Sequence, residues 1–203
     1  MNSIYFDDLL LYPSKVVCIG RNYHDHIREL KNETPEQPVI FIKPNSAICS
    51  EIYADPNTDV DYEGEIVYLV IAGNICGVGF GLDLTKRKIQ THLKNQGLPW
   101  ERAKAFDGSA VFSHFVSYQG DLNSLKMELY INDRLVQQGS CSSMISKPLE
   151  FLTEVKKFMS LEDGDLLMTG TPKGVGPISV GERFYAKLYT EDQLLLDATW
   201  IVK

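Results

Sequence analysis

The chain lacks the marks of several protein classes. Its four cysteines, Cys18, Cys49, Cys76 and Cys141, form no C-x-x-C pair, so zinc-ribbon spacing is absent. Nothing suggests a disulfide framework in a chain of 203 residues. Basic runs are missing, and a formal net charge of -7 argues against nucleic acid, whose phosphates call for a basic stripe. No apolar run reaches the roughly 18 residues of a membrane span. The start, "MNSIYFDDLL", has neither the basic segment nor the long apolar core of a signal peptide. "TGTPKGVG" has no Gly-Lys-Ser/Thr at P-loop spacing, and "GVGFG" lacks the GxGxxG spacing of a dinucleotide fingerprint. Internal repeats, low-complexity tracts and obvious linkers are missing too. The expectation left is a reduced, soluble, cytoplasmic protein with no nucleic-acid or membrane partner.

What is there reads as one domain, residues 1–203. Hydrophobic residues make up 44% and charged ones 23%, an ordinary globular balance with ample length for a core. "KVVCIG" and "PVIFIKP" read as short buried strands, with about two helical turns in "NYHDHIREL" between them. "DVDYEGEIVYLVIAG" alternates as a strand, "AGN" turns it, and "ICGVGFGLDL" is a second strand. "TKRKIQTHLKNQG" has helical composition and ends on Gly97. Asn132-Asp133 marks a hairpin between "LKMELYIN" and "RLVQQG". "KPLEFLTEVKKFMSL" predicts a helix with Pro148 in its first turn and an apolar stripe of Leu149, Leu152, Val155 and Met159. "DLLMTGT", "RFYAKLY" and "LLLDATWIV" close the chain as strands. The content predicts an α+β fold.

The acidic strand raises the chemical question. One of its faces carries Asp61, Glu63 and Glu65, then Val67, Leu69 and Ile71, so carboxylates share a face with residues bound for a core. Desolvating them requires an exposed end or a cation. Glu63 and Glu65 stand two apart on a strand, where Cα atoms about 6.5–7 Å apart let the side chains converge on a hard cation such as Mg²⁺ or Mn²⁺. A solvated strand end that blocks edge pairing is the other reading. If "AGN" turns the chain back, Asp83 brings a third carboxylate from the next strand end. A helix starting near Leu84 would put Arg87 one turn on from Asp83 and Gln90 three further, so the three could face one way; taken singly, both read as surface groups. His26 and Glu29 are an i, i+3 pair, either a solvated charge pair or a general-base dyad in which Glu orients the imidazole. Backbone N–H groups of the small-residue loop "TGTPKGVG", with the Thr171 hydroxyl, could cradle a carboxylate or phosphate. Lys104 alone reads as a solvated lysine.

"CIGRNYHDHIREL", "FIKPNSA", "DYEGEIVYLV", "GLDLTKRKIQ", "GLPWERAKAFDGSA", "QQGSCSSMI" and "GDLLMTGTPKGVG" occur in the order seen in the fumarylacetoacetate hydrolase family. From Lys15 onward the chain resembles its short, single-domain branch of acylpyruvate hydrolases and oxaloacetate decarboxylases. The resemblance implies a mixed β-sheet roll, a homodimer, and one Mg²⁺ or Mn²⁺ per subunit. It implies metal carboxylates at Glu63, Glu65 and Asp83, a catalytic dyad at His26 and Glu29 with Lys104, and substrate contacts from Arg87, Gln90 and Thr171. The implied activity is on small 2-oxo acids through a metal-stabilised enolate, by acylpyruvate C–C hydrolysis or oxaloacetate decarboxylation. Oxaloacetate keto–enol tautomerisation, and a metal-binding member that has lost turnover, are the alternatives. Two departures stand out. "VIAGNICGVGFG" leaves no room for the helix that relatives insert between the two acidic strands, which predicts a hairpin there. The family's "TxRD" reads "TKRK", and Lys88, about 140° around the helix from Asp83, is expected outside the metal shell.

Overall fold

The computed structural model describes residues 1–30, 33–55, 58–191 and 193–203. It is a mixed α+β fold, built on a curled and mostly antiparallel sheet of eight strands. Across that sheet the strands run in the order Val39–Pro44, Lys15–Gly20, Leu166–Met168, Gly64–Ile71, Asn74–Asp83, Ala110–Phe112 and Ile48–Cys49, and Val116–Ser117 also pairs with Asn74–Asp83. The two outermost strands are neighbours in sequence, joined only by the 3-10 turn Asn45–Ala47. A flat sheet of seven strands would hold them about 29 Å apart at ~4.8 Å per spacing. Four residue steps reach at most about 14 Å. The sheet therefore has to curl into a roll.

The roll has two buried faces. Inward lie Val16, Cys18, Val67, Leu69, Phe112, Phe115, Leu166 and Met168. Outward lie Val17, Ile66, Tyr68, Val78, Phe80 and Leu167, packed under Leu125, Met127, Leu129, Phe184, Ala186 and Leu188 of a second, four-stranded antiparallel sheet. With both faces covered, Gly64–Val70 is buried at every position, so its hydrophobicity runs on where a one-sided strand would alternate.

Ala72 and Gly73 both take positive φ, 49° and 72°, giving the two-residue hairpin expected from "AGN". Asn132 and Asp133, at 47° and 67°, make the second expected hairpin. The alternating glycines of "GVGFG" belong to the strand and face inward. A Cβ on Gly77 would lie 2.7 Å from the Phe6 ring, and one on Gly79 would lie 2.8 Å from Phe115. One on Gly81 would lie 2.7 Å from Val67. Those glycines let aromatic rings lie directly on the strand inside a narrow roll.

Among the described residues there are four α-helices: α1 His24–Glu29, α2 Arg87–Asn95, α3 Glu101–Lys104 and α4 Pro148–Lys156. Two expectations need correction. α2 begins at Arg87, not near Leu84, because Asp61 and Thr85 exchange backbone hydrogen bonds of 2.8 and 2.9 Å and hold the chain extended for two more residues. On α4, Leu149 is 60% exposed, and the buried face is Pro148, Phe151, Leu152 and Val155. Phe151 draws the apolar stripe around by about 100° per residue, and Leu149 falls at its edge. Among the described residues no helix is long and apolar enough to cross a membrane.

Candidate metal centre and active site

The inward face supplies the acids. Glu65 pairs with Gly81 across the hairpin, and that register sets Glu63 opposite Asp83, whose N–H donates to the Glu63 carbonyl at 2.9 Å. The three carboxylates thus arrive at one end of the roll, with one oxygen from each within 4.8 Å of the others. Each is at most 5% exposed, so the solvated-strand-end reading fails.

Three cations converge on them. Lys104, at the end of α3, is 3% exposed and is no solvated lysine. Its ammonium donates to Glu63 Oε2 at 2.8 Å, Asp83 Oδ2 at 2.7 Å and Thr85 Oγ1 at 2.6 Å. Arg87 donates to Asp61 Oδ2 at 2.8 Å, to Gln90 Oε1 at 2.8 Å, and to Glu63 Oε1. Its placement therefore does not depend on position 88. Lys88 is exposed and pairs with Asp59, outside the acid cluster as expected.

The third cation was not anticipated. Lys43 is wholly buried, and its ammonium stands 2.7 Å from Asp83 Oδ1. Its protons go to the carbonyls of Lys104, Ser109 at 2.9 Å and Leu84 at 3.5 Å. Asp83 Oδ1 therefore feels the charge but receives no directed hydrogen bond. The signal was present in "FIKP": alternation from Phe41 aims Lys43 inward.

Electrostatics sorts the carboxylates. Burial alone would raise Glu63, but Lys104 and Arg87 outweigh it and hold the carboxyl well below its usual range. Glu65 goes the other way: burial, then the charges of Asp83 and Glu63, push it well up, against one hydrogen bond of 2.8 Å from Gly170 N–H. A buried oxygen without a directed partner, next to a carboxyl destabilised by like charge, is what a hard dication with oxygen ligands would relieve. The donor set fits Mg²⁺ or Mn²⁺.

Above the acids lie α1 and the "TGTPKG" loop. His26 is buried, with Nδ1 3.2 Å from Glu29 Oε2, and Glu29 Oε1 accepts from Gly174 N–H at 2.9 Å. The i, i+3 pair is therefore tied to the loop and is not a free surface pair. Thr171 donates to the Gly64 carbonyl at 2.9 Å and accepts from Gln137 Nε2 at 2.8 Å. Gln137, also unanticipated, accepts from Gly64 N–H at 2.9 Å and so clamps the acidic strand to the loop. Asn22 does the same for α1, donating to the carbonyls of Thr169 at 2.9 Å and Ser146 at 3.0 Å. His26, Glu63, Glu65, Asp83, Arg87, Gln90, Lys104 and Thr171 all line one cleft; Glu29 stands behind His26.

Residues 15–198 match the fumarylacetoacetate (FAA) hydrolase C-terminal domain. The chain belongs to the fumarylacetoacetate hydrolase family. Within this family it is similar to the oxaloacetate tautomerase YcgM of Escherichia coli, 40% identical over 86% of this chain and 88% of that one. It is also similar to the mitochondrial oxaloacetate tautomerase oaa1 of Schizosaccharomyces pombe, 35% identical over 96% and 98%. A crystal structure of fumarylpyruvate hydrolase from Pseudomonas aeruginosa, in complex with Mn²⁺ and pyruvate, superposes with a TM-score of 0.89 at 27% identity, covering 99% of this chain and 95% of that one. The family and fold indicate an enzyme acting on small 2-oxo acids, and the buried acidic cluster is one that could hold a divalent cation.

Proposed function

We propose that the protein is a Mg²⁺- or Mn²⁺-dependent enzyme whose main reaction is the keto–enol tautomerisation of oxaloacetate. One observation carries this reading: three buried carboxylates, one with an oxygen lacking a directed hydrogen bond, lie in the same cleft as a tethered histidine–glutamate pair. The similarity to oxaloacetate tautomerases at 35 to 40% identity supports the choice of substrate.

Glu63, Glu65 and Asp83 would hold the dication, which when bound supplies a Lewis acid for the 2-oxo group and stabilises charge on its oxygen. Arg87, Gln90 and Thr171 bind and orient the keto acid. Glu29 accepts a hydrogen bond from the Nδ1–H of His26, which leaves Nε2 as the base. Nε2 takes a proton from C3; the C–H electron pair becomes the C2–C3 double bond, and the proton returns to the 2-oxo oxygen. Lys104, fixed by Glu63, Asp83 and Thr85, keeps a positive potential at the floor where that oxygen gains charge. No bond between carbons breaks, so the reaction needs no bound water.

Acylpyruvate hydrolysis is the second reading, favoured by the likeness to the fumarylpyruvate hydrolase structure. It uses the same enolate, with His26 activating water. The test follows decay of the oxaloacetate enol band with and without Mg²⁺, corrected for metal alone, with pyruvate assayed in parallel. Accelerated enol decay without pyruvate is expected. Pyruvate release matching enol loss would make the protein a decarboxylase, and no acceleration would refute the tautomerase reading. A cytoplasmic homodimer completes the proposal, checked by sedimentation equilibrium at about twice the 22.9 kDa chain mass.

A further inference from the structure

The acids lining the cleft, Glu63, Glu65 and Asp83, all belong to the cluster at the end of the roll. The same cleft also carries cations that the mechanism above does not use: Arg21 and Lys94, with Trp100 beside them. Arg21 follows directly on the strand Lys15–Gly20 and has a φ of +57°, which few non-glycine residues adopt. Both of its neighbours are fixed. Gly20 pairs with Val39 at the end of its strand, and Asn22 is bonded to the Thr169 and Ser146 carbonyls. Arg21 is therefore presented from the sheet by a one-residue turn, independently of α1. Its Nε is buried with no hydrogen-bond partner, and among the described residues no carboxylate pairs with its guanidinium. A buried arginine nitrogen in that state is costly unless a ligand satisfies it.

Lys94, on α2, lies 5.9 Å from the centre of the Trp100 ring. Burial, then the charges of Arg21 and Arg87, hold it below the usual lysine range, so these cations share one electrostatic neighbourhood. Arg87 already has Asp61 and Glu63 as partners, whereas the buried Nε of Arg21 has none. The acid cluster would engage only the C1 carboxylate and 2-oxo oxygen of a substrate, through the metal. Building on the tautomerase reading, we propose that Arg21, with Lys94 beside it, binds the second carboxylate of a 2-oxo dicarboxylate and thereby sets the preference for dianionic over monoanionic substrates. A planar guanidinium suits this task, because it offers paired donors to a carboxylate.

The test compares two unreactive ligands by calorimetry on Mg²⁺-saturated protein. Malate and lactate share a carboxylate and a C2 oxygen, but only malate has the distal carboxylate. The wild type is expected to bind malate on the order of 10- to 100-fold more tightly than lactate, the worth of a charge-assisted hydrogen bond. Arg21→Met should lose most of that ratio through malate while lactate changes little. Arg21→Gly, which the positive φ accommodates without strain, removes the same guanidinium and guards against misfolding of the first variant. Equal affinity for both ligands in the wild type, or equal loss of both in the variants, would overturn the assignment of Arg21. Absence of any Mg²⁺-dependent binding of either ligand would instead overturn the metal-site reading beneath it.

Discussion

Gly79→Ala tests the packing that brings the acids together. Its new Cβ would meet three atoms of the Phe115 ring at 2.8, 2.9 and 3.0 Å. Phe115 is fully buried and touches Phe112, with ring centres 5.8 Å apart, so the ring has nowhere to swing. Overpacking of this kind costs about 1–3 kcal/mol. Alanine returns roughly 0.4–1 kcal/mol by narrowing the unfolded ensemble. The net expectation is a loss of about 1–2 kcal/mol, a fall in Tm of about 2–8 °C for a chain of this size. Urea melts of Gly79→Ala, Phe115→Leu and the double variant form a cycle. Removing the ring should relieve the methyl, giving a coupling of about 1 kcal/mol. Additive losses, or a stabilised Gly79→Ala, would show that the glycines are not there to admit the rings.

Glu63→Gln and Asp83→Asn should each weaken Mg²⁺ binding by calorimetry and lower turnover with it; wild-type affinity in Glu63→Gln would remove Glu63 from the ligand set. His26→Ala should slow tautomerisation and acylpyruvate hydrolysis by on the order of 10²-fold, with a smaller loss in decarboxylation. Equal losses in all three reactions would make His26 a group that closes the cleft, not a base. Asp165 accepts from Ser14 N–H at 2.9 Å, Ser14 Oγ at 2.7 Å and Lys15 Nζ at 2.5 Å. Burial would raise its carboxyl, but Lys15, the Glu162 N–H and Ser14 outweigh it and hold it low. Its folded value lies below its unfolded one, so its stabilisation is complete above about pH 4 and fades as pH falls through the folded value. Asp165→Asn should therefore cost about 3 kcal/mol near neutrality, and the gap to wild type in urea melts should narrow in acid.

The legible parts of this molecule are those written by short-range pattern. Both hairpins follow from residues that tolerate positive φ, and the acid-bearing strand follows from alternation. The convergence of Glu63 and Asp83 needed only those two facts, because the tight Ala72–Gly73 turn leaves little freedom of register. The partners of Lys43 and Lys104 were illegible for the opposite reason, even though alternation aims Lys43 inward and the family resemblance marks Lys104. A lysine side chain carries no mark of burial, and only the tertiary fold brings carboxylates and carbonyls to the ammonium. Gln137 and Asn22 act across 73 and 147 positions, beyond any local signal. The N-terminal hairpin of Ile4–Phe6 with Leu9–Leu11 escaped notice because its strands are three residues each. Leu149 misled because hydrophobicity alone does not say where a stripe is centred.

The strand Leu166–Met168 is only three residues long, yet it joins Lys15–Gly20 on one side to Gly64–Ile71 on the other. Val16 and Leu166, which pair across it, stand 150 positions apart. At about 5–20 residues per second, a ribosome takes on the order of 10 s or more to make that interval. Until Leu166 is made, the facing edges of Lys15–Gly20 and Gly64–Ile71 lack the strand that pairs with both. The link, once made, is followed at once by Gly170 and Thr171, which lock onto Glu65 and the Gly64 carbonyl. The clasp on the acids thus forms only once residues 166–171 have emerged, and a chain truncated before them carries the acids but neither the clasp nor the strand that joins the two parts of the sheet.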